Sequence, residues 1–278
     1  MPELPEVETT MRGMSPLVGS KVTQVVIRHP TLRWPIPSQL PQLLPQSTLR
    51  SLHRRAKYIL AEFVDAQDQL LGTLILHLGM SGRICLLEEN EPAAKHDHFE
   101  IHFAGGHLFR LRDPRRFGAV LWVDAGDSVE DHPLIKSLGP EPLQPIFTGD
   151  YLYQQTRTRT APIKTTIMDG HLVVGVGNIY ASESLFRARI NPKTAANKVS
   201  RAKCERLVEE IKSTLNAAIE AGGSSLRDFF GADGNPGYFQ QTYFVYGRTE
   251  QPCHVCGSPI KQIKQGQRST FYCAECQR

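Results

Sequence analysis

The feature that most restricts how this chain folds is a group of four cysteines near its carboxyl end. They are spaced as C-x2-C-x16-C-x2-C, at Cys253, Cys256, Cys273 and Cys276. Two knuckles at this separation can place four thiolates tetrahedrally around Zn²⁺, with a hairpin between them. A disulfide framework is the alternative, and it is disfavoured because the chain is expected to be intracellular and its other cysteines, Cys85 and Cys204, lie far away. The pattern predicts one structural zinc ion, whose four sulfur ligands leave no position for a reactive water.

The segment that carries these cysteines, from about Tyr243 onward, is positively charged. Its basic side chains are Arg248, Lys261, Lys264, Arg268 and Arg278, against the acidic Glu250 and Glu275. A hairpin this small has no core of its own, and a zinc-stapled hairpin of this charge typically presents side chains to nucleic acid. A zinc ribbon that binds another protein is the alternative.

Length and composition indicate a folded protein outside the membrane. The chain has 278 residues, of which 40% are apolar and 22% charged, and its net charge is +4. It can therefore bury the core of one large domain or two compact ones. No apolar run is long enough to span a membrane, and the acidic, proline-interrupted start lacks the features of a secretory signal. We expect a cytoplasmic protein.

The hydrophobic pattern changes along the chain from helix to strands and back to helix. Residues 3–14 have helical spacing, and the stretch 22–123 contains short apolar segments of the kind found in a β-sandwich or barrel. A proline-rich connection follows at 131–143, and 200–221 is predicted to be a helix. The apolar stripe of that last helix consists of Leu207, Ile211, Leu215 and Ile219.

Basic side chains are concentrated in three groups ahead of the cysteines. The groups are Arg54, Arg55 and Lys57; Arg110, Arg112, Arg115 and Arg116; and Arg157, Arg159 and Lys164. A solvated surface explains each group taken singly. Three such groups beside a metal-binding hairpin favour contact with phosphates.

The amino-terminal residues MPELPEVE have unusual chemistry. If the initiator methionine is removed, Pro2 supplies a secondary amine, and an α-amino group has a pKa about two to three units below that of lysine. Such an amine can attack an electrophilic sugar carbon and form an iminium, with Glu3 and Glu6 nearby for proton transfer or charge stabilisation. The alternative is structural: a proline-containing entry to a helix whose acidic residues suit its N-terminal end.

Several motifs together carry a resemblance that extends from residue 1 to residue 278. They are MPELPEVE, RRAKY at 54–58, HLGMSG at 77–82, KHDH at 95–98, DPRRFG at 113–118, VVGVGNIYASE at 173–183, PGYF at 236–239 and the cysteine module. In this order they are similar to the bacterial formamidopyrimidine-DNA glycosylase family, the helix–two-turn–helix glycosylases.

The resemblance implies an α+β, multidomain fold with damaged double-stranded DNA as its partner. It implies an N-terminal β-sandwich with an N-terminal helix at 1–130, a helix–two-turn–helix domain at 131–242 and a C4 zinc finger at 243–278. The expected protein is a monomer, associated with the nucleoid through its substrate.

The resemblance also implies roles for four catalytic residues. Pro2 matches the nucleophile that attacks C1′ and releases the base through a Schiff base, and Glu3 matches the acid that assists sugar opening. Lys57 matches the lysine of β-elimination, and Arg268 the arginine linked with δ-elimination and phosphate binding. The expected activity is base excision followed by strand cleavage on both sides of the sugar.

Further positions match DNA contacts of the family. Met80, Arg115 and Phe117 match three residues that fill the void left by an extruded base, although core packing would otherwise explain Met80. His96 and Arg159 match other contacts. Asn178 follows a glycine turn predicted to open a helix whose amides hold a phosphate.

A glycine-rich stretch at 231–238 corresponds to the loop that covers the extruded base. Just before it, Arg227 stands where some relatives carry lysine, which changes a point charge to a planar fork. A shift in lesion preference is the expected consequence.

Two rival functions remain at this point. The endonuclease VIII branch, which acts on oxidised pyrimidines, shares the fold, but its N-terminus departs from PELPEVE. The motifs therefore favour oxidised purines, chiefly 8-oxoguanine and formamidopyrimidines. A zinc-dependent DNA-binding protein without catalysis is the other alternative, and Pro2, Glu3 and Lys57 together argue against it.

Overall fold

Helix α1 spans Leu4–Gly13, close to the helix predicted at 3–14. Pro5 lies in its first turn, where a missing N–H costs no helical hydrogen bond. The computed structural model describes residues 2–224 and 243–278. Arg227 and the glycine-rich stretch at 231–238 lie outside the described residues. The described residues form two units. The first contains 2–136 and 221–224, and the second contains 137–220 and 243–278.

Two four-stranded antiparallel sheets make up most of the first unit. The strands are β1 Val22–Ile27, β2 Thr48–Arg55, β3 Tyr58–Val64, β4 Leu70–His77, β5 Arg83–Glu88, β6 Asp97–Phe103, β7 His107–Arg112 and β8 Ala119–Asp124, and a short helix α2 spans Leu40–Leu43. The strand orders in the two sheets are β1-β6-β7-β5 and β2-β3-β4-β8. A single apolar core includes residues of both sheets and of α1, among them Val7, Phe63, Leu76 and Phe99. The predicted β-sandwich is confirmed, and the barrel alternative is not.

The second unit begins with helices. They are α3 Gly149–Thr156, α4 Ile163–Ile167, α5 Asn178–Arg187 and α6 Arg201–Glu220. The stripe predicted for α6 is buried along its length, from Leu207 to Ile219. No helix of the described residues has the length and apolar character needed to cross a membrane.

The cysteine-bearing segment adds a two-stranded hairpin to this unit, β9 Lys261–Gln265 and β10 Arg268–Tyr272. The two residues between the strands, Gly266 and Gln267, both have positive φ (52° and 64°), as a tight hairpin turn requires. Phe271 and Cys273 share an apolar cluster with Phe186 of α5. The finger therefore packs against the helix rather than standing apart.

All three basic groups are partly turned inward, which corrects the expectation that every member faces phosphates. In the first group, Arg54 donates to the Glu8 carboxylate at 2.8 Å. Arg110 is buried, and its guanidinium donates to the Glu100 carboxylate at 2.6 Å. Arg112 donates to Asp97 at 2.5 and 2.9 Å. The Arg157 guanidinium donates to backbone oxygens near residue 197, and Lys164 is buried. These side chains are engaged inside the protein, and the buried Arg110 and Lys164 have the acceptors that a buried cation needs.

Candidate active site and nucleic-acid interface

The amino-terminal residues are fixed by the carboxylate of Glu6. Pro2, Glu3 and Glu6 are all buried. Glu6 Oε2 accepts a hydrogen bond from the Glu3 backbone N–H at 2.8 Å, and its Oε1 accepts one from the Ser224 N–H, also at 2.8 Å. Glu6 therefore holds the backbone beside Pro2, and it ties α1 to the short segment that returns to this unit at Ser224.

Lys57 lies at the tip of the β2–β3 hairpin. Arg55 pairs with Tyr58, so the loop consists only of Ala56 and Lys57. Ala56 adopts a left-handed conformation, with φ 54°, which is unusual for a residue other than glycine. The turn is therefore strained and needs support from its surroundings.

Arg54 supplies part of that support and connects the turn to α1. Its Nη1 donates to the Ala56 carbonyl at 3.0 Å, and its Nε donates to Glu8 of α1 at 2.8 Å. Glu8 also accepts from Arg12, at 2.8 Å, so it is fixed within its own helix. One bridge thus joins the helix that follows Pro2 to the turn that carries Lys57.

His77, at the end of β4, is neutral at physiological pH. Burial, with smaller contributions from the positive charges of Lys57 and Arg33, lowers its pKa from 6.5 to about 4. Its Nδ1 accepts a hydrogen bond from the Gly79 N–H at 3.2 Å, which only an unprotonated nitrogen can do. The neutral ring therefore anchors the loop that leads to Met80.

The shift at His77 predicts that the fold weakens as the pH falls. The unfolded chain binds a proton near pH 6.5 and the folded one only near pH 4, so this contribution is complete above 6.5 and is lost on descending towards 4. At pH 5 we expect a loss of about 2 kcal/mol in the free energy of unfolding relative to pH 8. Urea titrations of the native protein and of His77→Gln, each at pH 5 and at pH 8, measure this loss of stability. In His77→Gln, the difference in the free energy of unfolding between the two pH values should be smaller by about that amount. The control His53→Gln, at an exposed histidine, should keep the difference of the native protein. The same pH dependence in all three proteins would contradict the role assigned to His77.

The three predicted void-filling residues are brought together in space. Met80 and Phe117 are 41% and 44% exposed, which excludes core packing as the role of Met80. The Arg115 guanidinium lies over the Phe117 ring, 4.7 Å from its centroid. The loop that carries Met80 and the loop that carries Phe117 touch at Gly79, where a Cβ would lie 2.4 Å from the Phe117 carbonyl carbon. Only glycine fits there, since its φ is +63° as well.

In the second unit, Asn178 is joined to the finger hairpin by Lys164. The Lys164 ammonium donates to Asn178 Oδ1 at 2.6 Å and to Thr270 Oγ1 at 2.7 Å. The Asn178 amide donates to the Ser269 carbonyl at 3.0 Å. The side chain of Asn178 is therefore engaged inside the protein, and its predicted phosphate contact stays a prediction. Sequence reasoning placed Lys164 only in a basic group, because its partner Thr270 is 106 residues away.

Glu183 of α5 is a second residue that sequence reasoning did not single out. Its buried carboxylate accepts three backbone hydrogen bonds, from Phe244, Val245 and Tyr246, at 2.8–3.0 Å. It lies within the motif VVGVGNIYASE, and a glutamate in the middle of a buried helix was the available signal. Glu183 fixes where the finger segment starts.

The four finger cysteines are placed as a zinc site requires. Their sulfur atoms all lie within 4.8 Å of one another, with Cys253–Cys276 at 3.9 Å and Cys256–Cys273 at 3.4 Å. A tetrahedron with Zn–S bonds of about 2.3 Å has sulfur atoms about 3.8 Å apart. The residues therefore fit one zinc ion in a closed, structural site, as predicted.

The remaining predicted site residues lie at the surface or near it. Arg268 is exposed at the start of β10, directly after the hairpin turn, and His96 is half-buried just ahead of β6. Arg159 donates to Asp169 at 2.7 Å while a third of its side chain stays exposed. Although burial alone would raise it, the pKa of Asp169 is lowered, because Arg159 and the His171 N–H both donate to the carboxylate. Arg159 is thus held in place with part of its guanidinium surface still accessible.

Family models cover most of the chain. Residues 1–120 match the formamidopyrimidine-DNA glycosylase N-terminal domain, and 138–230 match the H2TH domain of the same glycosylases. Residues 250–278 match a zinc finger found in FPG and IleRS. The three matches follow one another in the order that the sequence motifs indicated.

Relatives and solved structures match over the whole chain. The formamidopyrimidine-DNA glycosylase of Methylobacillus flagellatus is 65% identical over 278 residues, which cover 100% of this chain and 97% of the relative. That of Janthinobacterium sp. is 56% identical, with 100% of both chains covered. The Lactococcus lactis Fpg (MutM) in complex with a DNA containing N7-benzyl-Fapy-dG is similar with a TM-score of 0.90 at 34% identity, and 100% of both chains is covered. The MutM (Fpg) protein from Thermus thermophilus gives a TM-score of 0.85 at 36% identity, covering 99% of this chain and 98% of that one.

Proposed function

The chain belongs to the formamidopyrimidine-DNA glycosylase family, and we propose that it excises oxidised purines from double-stranded DNA and then cleaves the strand at the resulting abasic site. The observation that carries the proposal is the fixed amino terminus. Glu6 holds the Glu3 backbone, so Pro2 is presented in one buried position rather than on a free tail. A nucleophile held in this way has already lost the entropy that a mobile one would lose on reaction.

In the first step, the Pro2 nitrogen attacks C1′ of the damaged nucleotide once Met1 has been removed. The C1′–N bond to the base breaks, and the base leaves with the electron pair and accepts a proton. The sugar ring then opens to an iminium with Pro2, and Glu3 supplies the proton to the ring oxygen. The burial of both residues supports this assignment, because exclusion of water protects the iminium from premature hydrolysis.

In the second step, the iminium acidifies the C2′ protons, and loss of one expels the 3′ phosphate in a β-elimination. Lys57 transfers protons at this stage, and its position at a turn bridged to α1 through Arg54 supports that role. The 5′ phosphate leaves in a following δ-elimination, for which we assign Arg268. Its exposure at the tip of the zinc-stapled hairpin suits a residue that contacts a phosphate.

Extrusion of the damaged nucleotide leaves a void that the exposed Met80, Arg115 and Phe117 fill. The apolar side chains replace lost stacking, and the Arg115 guanidinium can bond the unpaired base. We assign His96, Arg159 and Asn178 to the DNA contacts. Zinc, when bound, holds the hairpin and supplies no chemistry of its own.

Borohydride trapping tests the proposal. Duplexes that differ only in the lesion, 8-oxoguanine or thymine glycol, are incubated with the protein and sodium borohydride, which reduces the iminium to a stable bond. The pyrimidine lesion belongs in the assay because the Lactococcus lactis relative has been solved with an oxidised pyrimidine in DNA. We expect a covalent adduct and release of 8-oxoguanine. Binding without any adduct would support the non-catalytic alternative, and a strong preference for thymine glycol would support the endonuclease VIII alternative.

The bridge at Arg54 predicts a defect in the lyase step. Arg54→Lys keeps the charge but cannot donate to Glu8 and Ala56 with the same fork, so the turn that carries Lys57 should loosen. We expect strand cleavage of preformed abasic DNA to slow about tenfold. Single-turnover cleavage measures this rate. Arg50→Lys is the control, because Arg50 lies on the same strand as Arg54 and pairs with Glu62 of β3 at the surface. Cleavage by Arg54→Lys at the rate of the control would remove this role from the bridge.

A further inference from the structure

The side chain of Asp113 lies at the centre of the two loops that carry the void-filling residues. It is 0% exposed, which is unusual for an aspartate. Its Oδ1 accepts from the Ser81 hydroxyl at 2.7 Å, and its Oδ2 accepts from the Gly118 N–H at 2.8 Å. The Arg115 N–H lies 3.3 Å from Oδ1. A buried carboxylate with such donors is tightly fixed.

Each of these donors is adjacent to, or part of, a void-filling residue. Ser81 follows Met80, the Arg115 N–H belongs to a void-filling residue itself, and Gly118 follows Phe117. One carboxylate therefore determines the backbone positions from which all three side chains project. The Gly118 position has no room for a larger residue, since a Cβ there would lie 2.7 Å from the His77 carbonyl oxygen and 3.1 Å from Asp113 Oδ2.

The backbone of Asp113 fixes a further predicted DNA contact. Its N–H donates to the His96 carbonyl at 2.9 Å, and its own carbonyl accepts from His98 Nε2 at 2.9 Å. His96, Met80, Arg115 and Phe117 are thus organised around one residue.

We propose that Asp113 is a positioning residue that holds Met80, Arg115 and Phe117 as one rigid wedge, so that they enter the DNA together when the damaged nucleotide leaves the stack. The inference rests on the proposed function and extends it to a residue that touches neither DNA nor the reacting sugar. Its physical basis is preorganisation: three side chains on two independent loops would have to be ordered at the moment of insertion, whereas a fixed wedge has been ordered on folding.

The replacement Asp113→Asn tests the proposal because it preserves size and removes one acceptor. An amide has a single oxygen, so its NH₂ group must face either the Gly118 N–H or the side of the Arg115 N–H, and neither backbone donor can accept from it. A clash of donors at a buried position releases one loop from the other. Ser81→Ala is the second variant, which removes the bonds of the Ser81 hydroxyl to Asp113 Oδ1 and to the Arg115 N–H and leaves the Gly118 contact intact. Asp65→Asn is the matched control, since Asp65 accepts two backbone N–H bonds in the distant β3–β4 turn.

Two substrates distinguish positioning from general damage to the fold. In a duplex that contains 8-oxoguanine a void forms, and we expect the single-turnover excision rate of Asp113→Asn to fall about tenfold or more. In a single-stranded oligonucleotide with a preformed abasic site there is no partner base and no void, so strand cleavage should stay within about twofold of the wild type. Ser81→Ala should show the same selectivity with a smaller loss.

A fluorescence measurement checks the wedge directly. 2-Aminopurine is placed opposite the lesion, where its emission reports loss of stacking. At saturating protein we expect a smaller emission change with Asp113→Asn than with the wild type or with Asp65→Asn. If Asp113→Asn and Ser81→Ala both excised 8-oxoguanine from the duplex at the wild-type rate, the role of Asp113 would be overturned and the proposed function would stand. Equal losses of rate on the duplex and on the single-stranded substrate would have the same consequence. A wild-type protein that leaves 8-oxoguanine in place would overturn the proposed function beneath it.

Discussion

Replacing Pro2 by glycine is expected to reduce base excision by about 100-fold or more while leaving DNA affinity nearly unchanged. Glycine retains an amine but loses the ring that fixes the direction of the nitrogen lone pair, and a small misplacement of a reacting group can cost about that much in rate. The backbone contact of Glu6 to residue 3 does not depend on the proline ring, so the helix should still form. Single-turnover kinetics on 8-oxoguanine duplex and a fluorescence binding titration measure the two quantities.

The control for this change is Pro16→Gly, the same substitution at an exposed proline. Mass measurement of both purified proteins establishes that Met1 has been removed, because a retained methionine blocks the amine in every variant. Excision by Pro2→Gly at the rate of Pro16→Gly would exclude Pro2 as the nucleophile. Full activity of a protein that retains Met1 would have the same consequence.

Replacing Cys273 by serine is expected to weaken binding to lesion-containing duplex by about 100-fold, since the phosphate contacts that we propose for the finger would be lost together. Cys273 is fully buried, and its sulfur lies 3.4 Å from that of Cys256. Three thiolates bind zinc far less tightly than four, and the zinc contributes about 10–16 kcal/mol of apparent binding free energy to such small folds. Zinc content by metal analysis and binding by titration test the expectation.

Cys85→Ser is the matched control, because Cys85 lies on β5 in the other unit and outside the sulfur cluster. It should retain one zinc ion per chain and normal affinity. If Cys273→Ser lost its zinc yet bound DNA as tightly as Cys85→Ser, the finger would have no part in binding. The same result after chelation of zinc from the native protein would strengthen that conclusion.

Local patterns in the sequence predicted the elements and the metal site well. The helical spacing at 3–14, the apolar segments that became the sandwich strands and the stripe from Leu207 to Ile219 depend on neighbours within one element. The zinc site could be predicted for a similar reason, since the spacing within each CxxC pair already allows both thiolates to bind one zinc ion. The predicted domain boundaries at residues 130 and 242 stay predictions, as do the roles of the site residues.

Long-range partnerships were the part that the sequence did not predict. Arg110 and Arg112 look like surface charge until β6 and β7 pair and bring Glu100 and Asp97 against them. Asp113 is a single aspartate in a basic motif, and its partner Ser81 is 32 residues away. No periodicity records such pairs, because they form only when two loops meet in space.

The apolar cluster shared by Phe186 and the finger has a consequence for engineering. A peptide made from the last part of the chain would leave Val245, Ile260 and Phe271 facing water on the side that α5 normally covers. Zinc binding would hold the two CxxC pairs of the peptide together but would not cover these apolar side chains. Exchange of fingers between family members therefore has to carry the matching face of α5 with it, and a graft onto an unrelated carrier would tend to aggregate.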